Sequence, residues 1–308
     1  MASKQKKPLV SILTATYDRA QLLGELKASL DAQDFRDFQW VVVDDGSSDH
    51  TEELLESWRE SVPYGFSPLR TENGGKHRAL NRGMDLVEGE WTFIVDSDDI
   101  LPPGALRILA GAIAETTGVQ SCGGVVGLKG DGEGRPLGGR FPPAVAFSDS
   151  IALRYRYGLK ADKAEVFKTS VLRAFPFPDF EGEKFINEGV VWNRIARAGW
   201  TLHLLDEVIY TARYLAQGLS ARSLELRIAN PKGTALFYKE KLALDLPFSA
   251  LAREAVNAGR FAFHAGRVFP ALAEVGGMRK ALAIGLLPLA FAAYVRDAAI
   301  LACRGGKG

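Results

Sequence analysis

Two apolar runs, Phe38-Gln39-Trp40-Val41-Val42-Val43 and Trp91-Thr92-Phe93-Ile94-Val95, each stop abruptly on acids: Asp44-Asp45 and Asp96-Ser97-Asp98-Asp99. β-branched and aromatic residues in runs this short read as buried strands. A third apolar run covers 9–15, and helical signals fall between the three. Leu22, Leu23, Leu26 and Leu30 repeat at helical spacing in 20–33. Leu54, Leu55 and Trp58 do so after Ser48 and Asp49, either of which can cap that helix, with Glu52 and Glu53 in its first turn. A short strand near 67–70, a helix at 76–87 behind the Gly74-Gly75 turn, and a helix at 104–116 opened by Pro102-Pro103 continue the alternation. This pattern predicts an α/β fold, a mostly parallel sheet with helices on both faces.

Ligands of such sheets bind beyond the carboxyl ends of the strands. Both acid clusters belong at that edge, where carboxylates repel one another and call for a cation. Hard oxygen donors favour Mg²⁺ or Mn²⁺, and such an ion suits a diphosphate ligand, whose departing charge it neutralises. The plainer alternative is that these acids only cap the helices that follow.

Beyond 120 the expected elements are a strand at 121–128, an exposed Gly-rich loop at 130–139, a strand at 163–168 and a helix at 169–174. A loop at 176–184, a helix at 188–198 and a pair of strands at 201–205 and 208–211 follow, and the chain is helical from 224 on. The 38 basic and 37 acidic residues leave a net charge of +1, which argues against a nucleic-acid partner. Cys122 and Cys303, far apart, read as reduced core residues of a cytoplasmic protein. Lys4, Lys6 and Lys7 imitate the start of a signal peptide, but Thr14, Thr16 and Asp18 interrupt the apolar part. The segment 281–295 holds Pro288 and is shorter than the roughly 20 residues of a span. Arg279, Lys280 and Arg296 bracket it, so two readings stand: a buried or dimer-forming helix, or a peripheral membrane contact through 279–303 at the inner face of the plasma membrane.

The stretch Leu9-Val10-Ser11-Ile12-Leu13-Thr14-Ala15-Thr16-Tyr17-Asp18-Arg19 resembles the opening of the family 2 glycosyltransferases. So do Val41 through Thr51, Asn73-Gly74-Gly75 through Gly83, Gly89-Glu90-Trp91, and Asp96-Ser97-Asp98-Asp99, in order, over roughly 9–110. The resemblance implies a GT-A fold and an inverting, metal-dependent transfer from a nucleotide diphosphate sugar, most simply a UDP-sugar, to a glycan or lipid-linked acceptor. It implies a GT-A domain over 1–220, with a nucleotide-sugar half at 8–115 and an acceptor half at 116–220, before a C-terminal helical region at 221–308.

By the same resemblance, Thr14, Ala15 and Tyr17 line the nucleotide base, Tyr17 offering a stacking face. Asp45 accepts from the base edge, with Asp44 in support. Lys76 and Arg78 meet the base or phosphates, and Ser97 lies in the donor site. Asp98 binds Mn²⁺ or Mg²⁺ directly, Asp96 holds the ribose or the metal, and Asp99 caps the next helix. Asp18 stands where many relatives carry Asn. Glu188, six residues before Arg194, takes the position of the catalytic base, with Asn187 in place of the usual first acid. Glu181, Glu183 and Asp179 are rivals for that role, and Trp192 suits either an acceptor sugar or the core. A looser likeness at 180–185, 214–220 and 226–233 is to a bacterial cell-surface polysaccharide branch, with 214–220 a loop near the phosphates. His203 reads as a buried strand histidine rather than a metal ligand.

Competing classes fare worse. A dinucleotide oxidoreductase needs Gly-x-Gly-x-x-Gly after the first strand, and Thr14-Ala15-Thr16-Tyr17 lacks it. A sugar-phosphate nucleotidyltransferase lacks its Gly-rich signature here too. A catalytically inactive nucleotide-sugar-binding module of the same fold is the remaining alternative.

Overall fold

The computed structural model describes residues 7–213, 223–268 and 275–305, with side chains up to 301 in the last segment. The stretch 214–220 and the Cys303 side chain lie outside the described residues. The chain divides into two compact units. One holds the residues up to Phe177 with Arg194–Arg213; the other holds Pro178–Asn193 with the described residues from 223 on. Residues 178–193 thus group with the C-terminal helices, whereas the expected boundary lay near 220.

In the first unit, β1 (Val10–Thr16), α1 (Ala20–Asp31), β2 (Phe38–Asp44), α2 (Thr51–Trp58), β3 (Gly65–Arg70), α3 (Lys76–Met84), β4 (Trp91–Ile94) and α4 (Ala105–Glu115) alternate as the sequence predicts. There follow β5 (Cys122–Gly130), β6 (Phe147–Ser148), α5 (Ser150–Tyr155), β7 (Ala164–Lys168), α6 (Thr169–Ala174), α7 (Gly189–Arg197), whose first residues belong to the other unit, and β8 (Thr201–Thr211). Eight strands form one sheet in the order β3-β2-β1-β4-β7-β5-β8-β6. The β3-β2-β1-β4 half is parallel throughout. Strand β7 is antiparallel to both of its neighbours. Register pairs Thr16 with Asp44 and Leu13 with Ile94. Asp45 and Asp96 therefore leave the same sheet edge two strands apart, about 10 Å at ordinary strand spacing.

Alternation along the strands decides which face each side chain covers. Val10, Ile12, Phe38, Trp40 and Val42 share a core with Leu23, Leu26 and Leu30 of α1, Leu55 and Trp58 of α2, and Leu106 and Leu109 of α4. Leu13 and Val43 point the other way, onto α3. A Cβ on Gly83 there would come within 2.4 Å of Leu13 Cδ1, so only glycine lets α3 lie this close.

The expected pair of strands at 201–205 and 208–211 is instead one strand. β8 runs through Asp206 and Glu207, which bulge as its parallel partner jumps from Gly127–Leu205 to Leu128–Val208. Two acids inside an apolar run look like a turn, but here the partner strand absorbs them. Asp206 is used at the bulge, accepting from the Phe141 N–H at 3.0 Å and Arg140 Nη1 at 2.9 Å.

The second unit adds α8 (Ser223–Ala229), α9 (Pro231–Lys241), α10 (Phe248–His264), α11 (Gly277–Gly285) and α12 (Leu287–Gly305). It buries ion pairs: Lys241 lies 3.4 Å from Glu254, and Asp297, fully buried, takes two guanidinium N–H groups of Arg260 at 2.5 Å each. His264, for which the sequence suggests no partner, lies 3.1 Å from Asp297. No single described helix is long and apolar enough to cross a membrane.

Candidate active site

The end of β2 is held by its own acids. The fully buried Asp44 takes the Ser47 N–H at 2.9 Å on Oδ1 and lies 3.6 Å from Arg70 Nη1 on Oδ2. Asp45 accepts the N–H groups of Gly74 (2.8 Å) and Gly75 (2.7 Å), one on each oxygen, and its carbonyl accepts Asn73 Nδ2 at 2.9 Å. The Asp45 carboxylate therefore sets the turn that starts α3, and each oxygen keeps a lone pair for a further donor. Gly46 makes this close approach possible. Its φ is 77°, and an added Cβ would meet the Asn73 nitrogen at 2.8 Å. Gly46→Ala is expected to cost about 1–3 kcal/mol in urea unfolding; an unchanged midpoint would show that this turn is not strained.

Asp18, at φ 49°, reaches across to the same loop and accepts the Ser48 N–H at 2.6 Å, which holds its carboxyl below the usual range. Asp49 accepts the Ala20 N–H at 3.1 Å and the Thr51 N–H at 3.0 Å, the first N–H groups of α1 and α2, although the residue at the N-cap of α2 is His50 rather than either expected cap. Tyr17 beside it is 47% exposed, and the Asp18 charge raises its phenol. Ala15 is half-buried at the end of β1. Thr14 departs from expectation. It is fully buried, and its Oγ1 accepts Trp40 Nε1 at 3.1 Å. Strand alternation puts it on the face of Val10 and Ile12, so its side chain serves the core rather than a ligand at the surface.

Beyond β4, carboxylate oxygens of Asp96, Asp98 and Asp99 lie within 4.8 Å of one another. Each has protein partners. Asp96 is paired with Lys76; burial pushes its carboxyl up, and the charges of Lys76, Lys129 and Arg19 more than reverse this, leaving it below the usual range. Asp98 Oδ2 lies 2.8 Å from Arg19 Nη1. Asp99, expected to cap α4, does not: it accepts the Tyr210 hydroxyl at 2.7 Å and the Arg213 N–H at 2.7 Å. Burial raises its carboxyl and raises the Tyr210 phenol further still. Tyr210 in turn accepts the Asp96 N–H at 3.1 Å, and Lys129 Nζ lies 4.1 Å from its ring centroid. Ser97 is buried between these acids. Arg78 donates to the Gly74 carbonyl at 2.6 Å, closing the same turn that Asp45 holds.

The acids at 44–45 and 96–99 are therefore joined through the Gly74–Lys76 turn. The expected need for a cation is met in part by the chain itself, through Lys76, Arg19 and Lys129. The donor set still fits a hard divalent ion. Asp98 and Asp96 are half-buried, and their cationic partners sit on flexible side chains that can yield, whereas the oxygens of Asp99 already accept from fixed partners. Arg19, Lys129, Tyr210 and Arg213 went unassigned from sequence. Arg19 lies within the opening motif and was within reach of inference. Tyr210 sits 111 residues from Asp99 in an ordinary apolar strand, and nothing local marks it.

In the second unit, Glu188 is half-buried just ahead of α7, and its carbonyl accepts the N–H groups of Val191 (2.9 Å) and Trp192 (3.2 Å). Asn187 Oδ1 accepts the Gly189 N–H at 2.9 Å, a helix-starting bond that an Asp would also make. Of the rivals, Glu183 is committed. It is 4% exposed and accepts the N–H groups of Lys232 (2.7 Å) and Gly233 (2.8 Å), capping α9. Glu181 and Asp179 are exposed, and Trp192 is half-buried. In the first unit, His203 is 9% exposed, 3.5 Å from Glu115 and tilted against the Phe147 ring at 5.1 Å, as a strand-buried histidine should be.

The family described as "Glycosyl transferase family 2" matches residues 11–180. Among curated proteins, the poly(ribitol-phosphate) beta-N-acetylglucosaminyltransferase TarS of Staphylococcus aureus is 31% identical over 165 residues, 53% of this chain and 28% of TarS. A GalNAc(5)-diNAcBac-PP-undecaprenol beta-1,3-glucosyltransferase of Campylobacter jejuni is 33% identical over 107 residues, 33% of each chain. The matches thus span a third or less of these relatives. Among solved structures, TarS 1-349 in complex with UDP-GlcNAc aligns with a TM-score of 0.60 and 21% identity, covering 94% of this chain and 88% of that one. The Pyrobaculum calidifontis mannosyltransferase PcManGT, in complex with GDP-Man and Mn²⁺, gives 0.58 and 20%, covering 96% and 86%. At these identities the structures speak for the fold, which is GT-A.

Proposed function

We infer the reaction from one premise: this chain belongs to glycosyl transferase family 2. We propose that it moves a sugar from a nucleotide diphosphate sugar, most simply a UDP-sugar, to a hydroxyl of a glycan or lipid-linked acceptor, with inversion at the anomeric carbon. The observation that carries the reading is the triad of carboxylates within 4.8 Å at the edge where the parallel strands end. Two relatives named as β-transferases, one acting on a poly(ribitol phosphate) and one on an undecaprenol-linked glycan, support the choice of cell-surface acceptor.

In this reading Asp98, aided by Asp96, holds Mn²⁺ or Mg²⁺. The ion supplies charge neutralisation on the departing diphosphate. Asp45, with spare lone pairs, accepts from the base edge, and Tyr17 stacks on the base. Ala15 and Ser97 border the donor. Lys76, released from Asp96, and Arg78 at the start of α3 meet the phosphates. Glu188 takes the acceptor proton as that oxygen attacks the anomeric carbon and the bond to the diphosphate breaks. In this reading residues 8–115 are the donor-binding half.

Nucleotide sugars screened by thermal shift, with and without Mn²⁺, test the donor class. A nucleotide diphosphate sugar should raise the melting temperature in the presence of Mn²⁺ through mass action, and nucleotide release should accompany it. No shift with any nucleotide sugar would contradict the reading.

A further inference from the structure

Helices α11 and α12 wear their polarity inside out. The only acid between 275 and 305, Asp297, is fully buried and neutralised by Arg260 and His264. Ala283 and Ala290 are buried on the same inner side. The outer side carries the large apolar residues Met278 (87% exposed), Leu289 (59%), Phe291 (50%), Ile284 (50%) and Val295 (49%). Arg296 is the exposed charged residue beside them; Arg279 and Lys280 are half-buried, and Arg279 donates to the Leu242 carbonyl at 3.0 Å. A run of this kind on a water-facing surface marks a contact site rather than a solvated one.

We propose that this face docks on an anionic lipid bilayer, with both helices lying along the surface and the five apolar side chains entering the headgroup–acyl boundary. Charge selects this occupant. The two helices present basic groups and no exposed acid, which complements anionic headgroups. A second copy packed face to face would set Arg279, Lys280 and Arg296 against themselves, with no acid on these helices to answer them. The two helices meet at a bend of 51°, and α12 is tied along its inner side to α10 through Asp297, which suits lying in the interface better than crossing it. The inference stands independently of the sugar-transfer reading.

Cosedimentation of the full chain with phosphatidylcholine vesicles, with and without phosphatidylglycerol, tests it. Binding should be at least about tenfold stronger to the anionic vesicles and should fall with salt, since each basic side chain contributes about fivefold. The double variant Met278→Asp, Leu289→Asp should sediment no more than a vesicle-free control while keeping the wild-type melting temperature, because these are the two most exposed of the five side chains. Arg296→Glu should weaken binding to anionic vesicles about tenfold or more and leave binding to neutral ones unchanged. Equal binding to both vesicle types, no binding to either, or wild-type binding by the double variant would overturn the proposal. So would a stable dimer that the double variant dissociates, seen by light scattering in the absence of vesicle binding.

Discussion

Asp98→Ala should yield a folded protein that transfers sugar at least about 10³-fold more slowly and binds Mn²⁺ much more weakly. The fold should tolerate the change because Asp98 is bonded only at its edge. Its partner Arg19 is 26% exposed, and such pairs are worth up to about 1 kcal/mol. Function should not tolerate it, because no other acid in the cluster can substitute. Asp99 is 6% exposed, with one bond already on each oxygen from Tyr210 and the Arg213 N–H, and Asp96 is paired with Lys76, so neither makes up for the lost ligand. A loss of 10³ corresponds to about 4 kcal/mol of transition-state stabilisation, the scale of a Lewis acid acting on a leaving diphosphate. Turnover with Mn²⁺, titration calorimetry with the metal, and a urea melt together decide it. An Asp98→Ala protein that turns over normally would move the metal elsewhere.

Glu188→Gln should lose about 10²–10⁴ in turnover while donor and metal binding stay at the wild-type level. The local structure gives this variant every chance to fold. The helix-starting bonds come from the Glu188 carbonyl and the Asn187 side chain, and neither depends on the carboxylate. The acid limb of the kcat/KM profile should vanish with the carboxylate, which distinguishes a proton acceptor from a residue that merely shapes the site. Glu183→Gln is the instructive contrast. Glu183 caps α9 through two backbone N–H groups, so its loss should appear as lowered stability, with turnover largely kept. Retained turnover in Glu188→Gln would pass the base role to Asp179 or Glu181.

The parallel half of the sheet was readable because two periodicities alternate cleanly there, and because strands that end on acids announce where a site lies. Reading failed where tertiary context overrode local pattern. Asp206-Glu207 looks like a turn until a neighbouring strand accommodates it as a bulge. Asp99 looks like a helix cap, yet Tyr210 and Arg213, brought from the far side of the sheet, take both of its oxygens. Thr14 could have been read correctly from strand alternation alone, since it shares a face with Val10 and Ile12; the family motif drew it toward the ligand instead. The carboxylates were expected to need an outside cation, and no local pattern reveals that Lys76 and Arg19 already sit on them.

The central claim is that Asp98 exchanges an internal guanidinium for a divalent ion when the donor binds. Anomalous diffraction from crystals grown with Mn²⁺ and UDP tests it most directly. The expected result is a manganese peak about 2 Å from an Asp98 carboxylate oxygen, bridging to a phosphate oxygen, with Arg19 turned away. Bound UDP with no manganese at Asp98, and Arg19 still paired to it, would contradict the account.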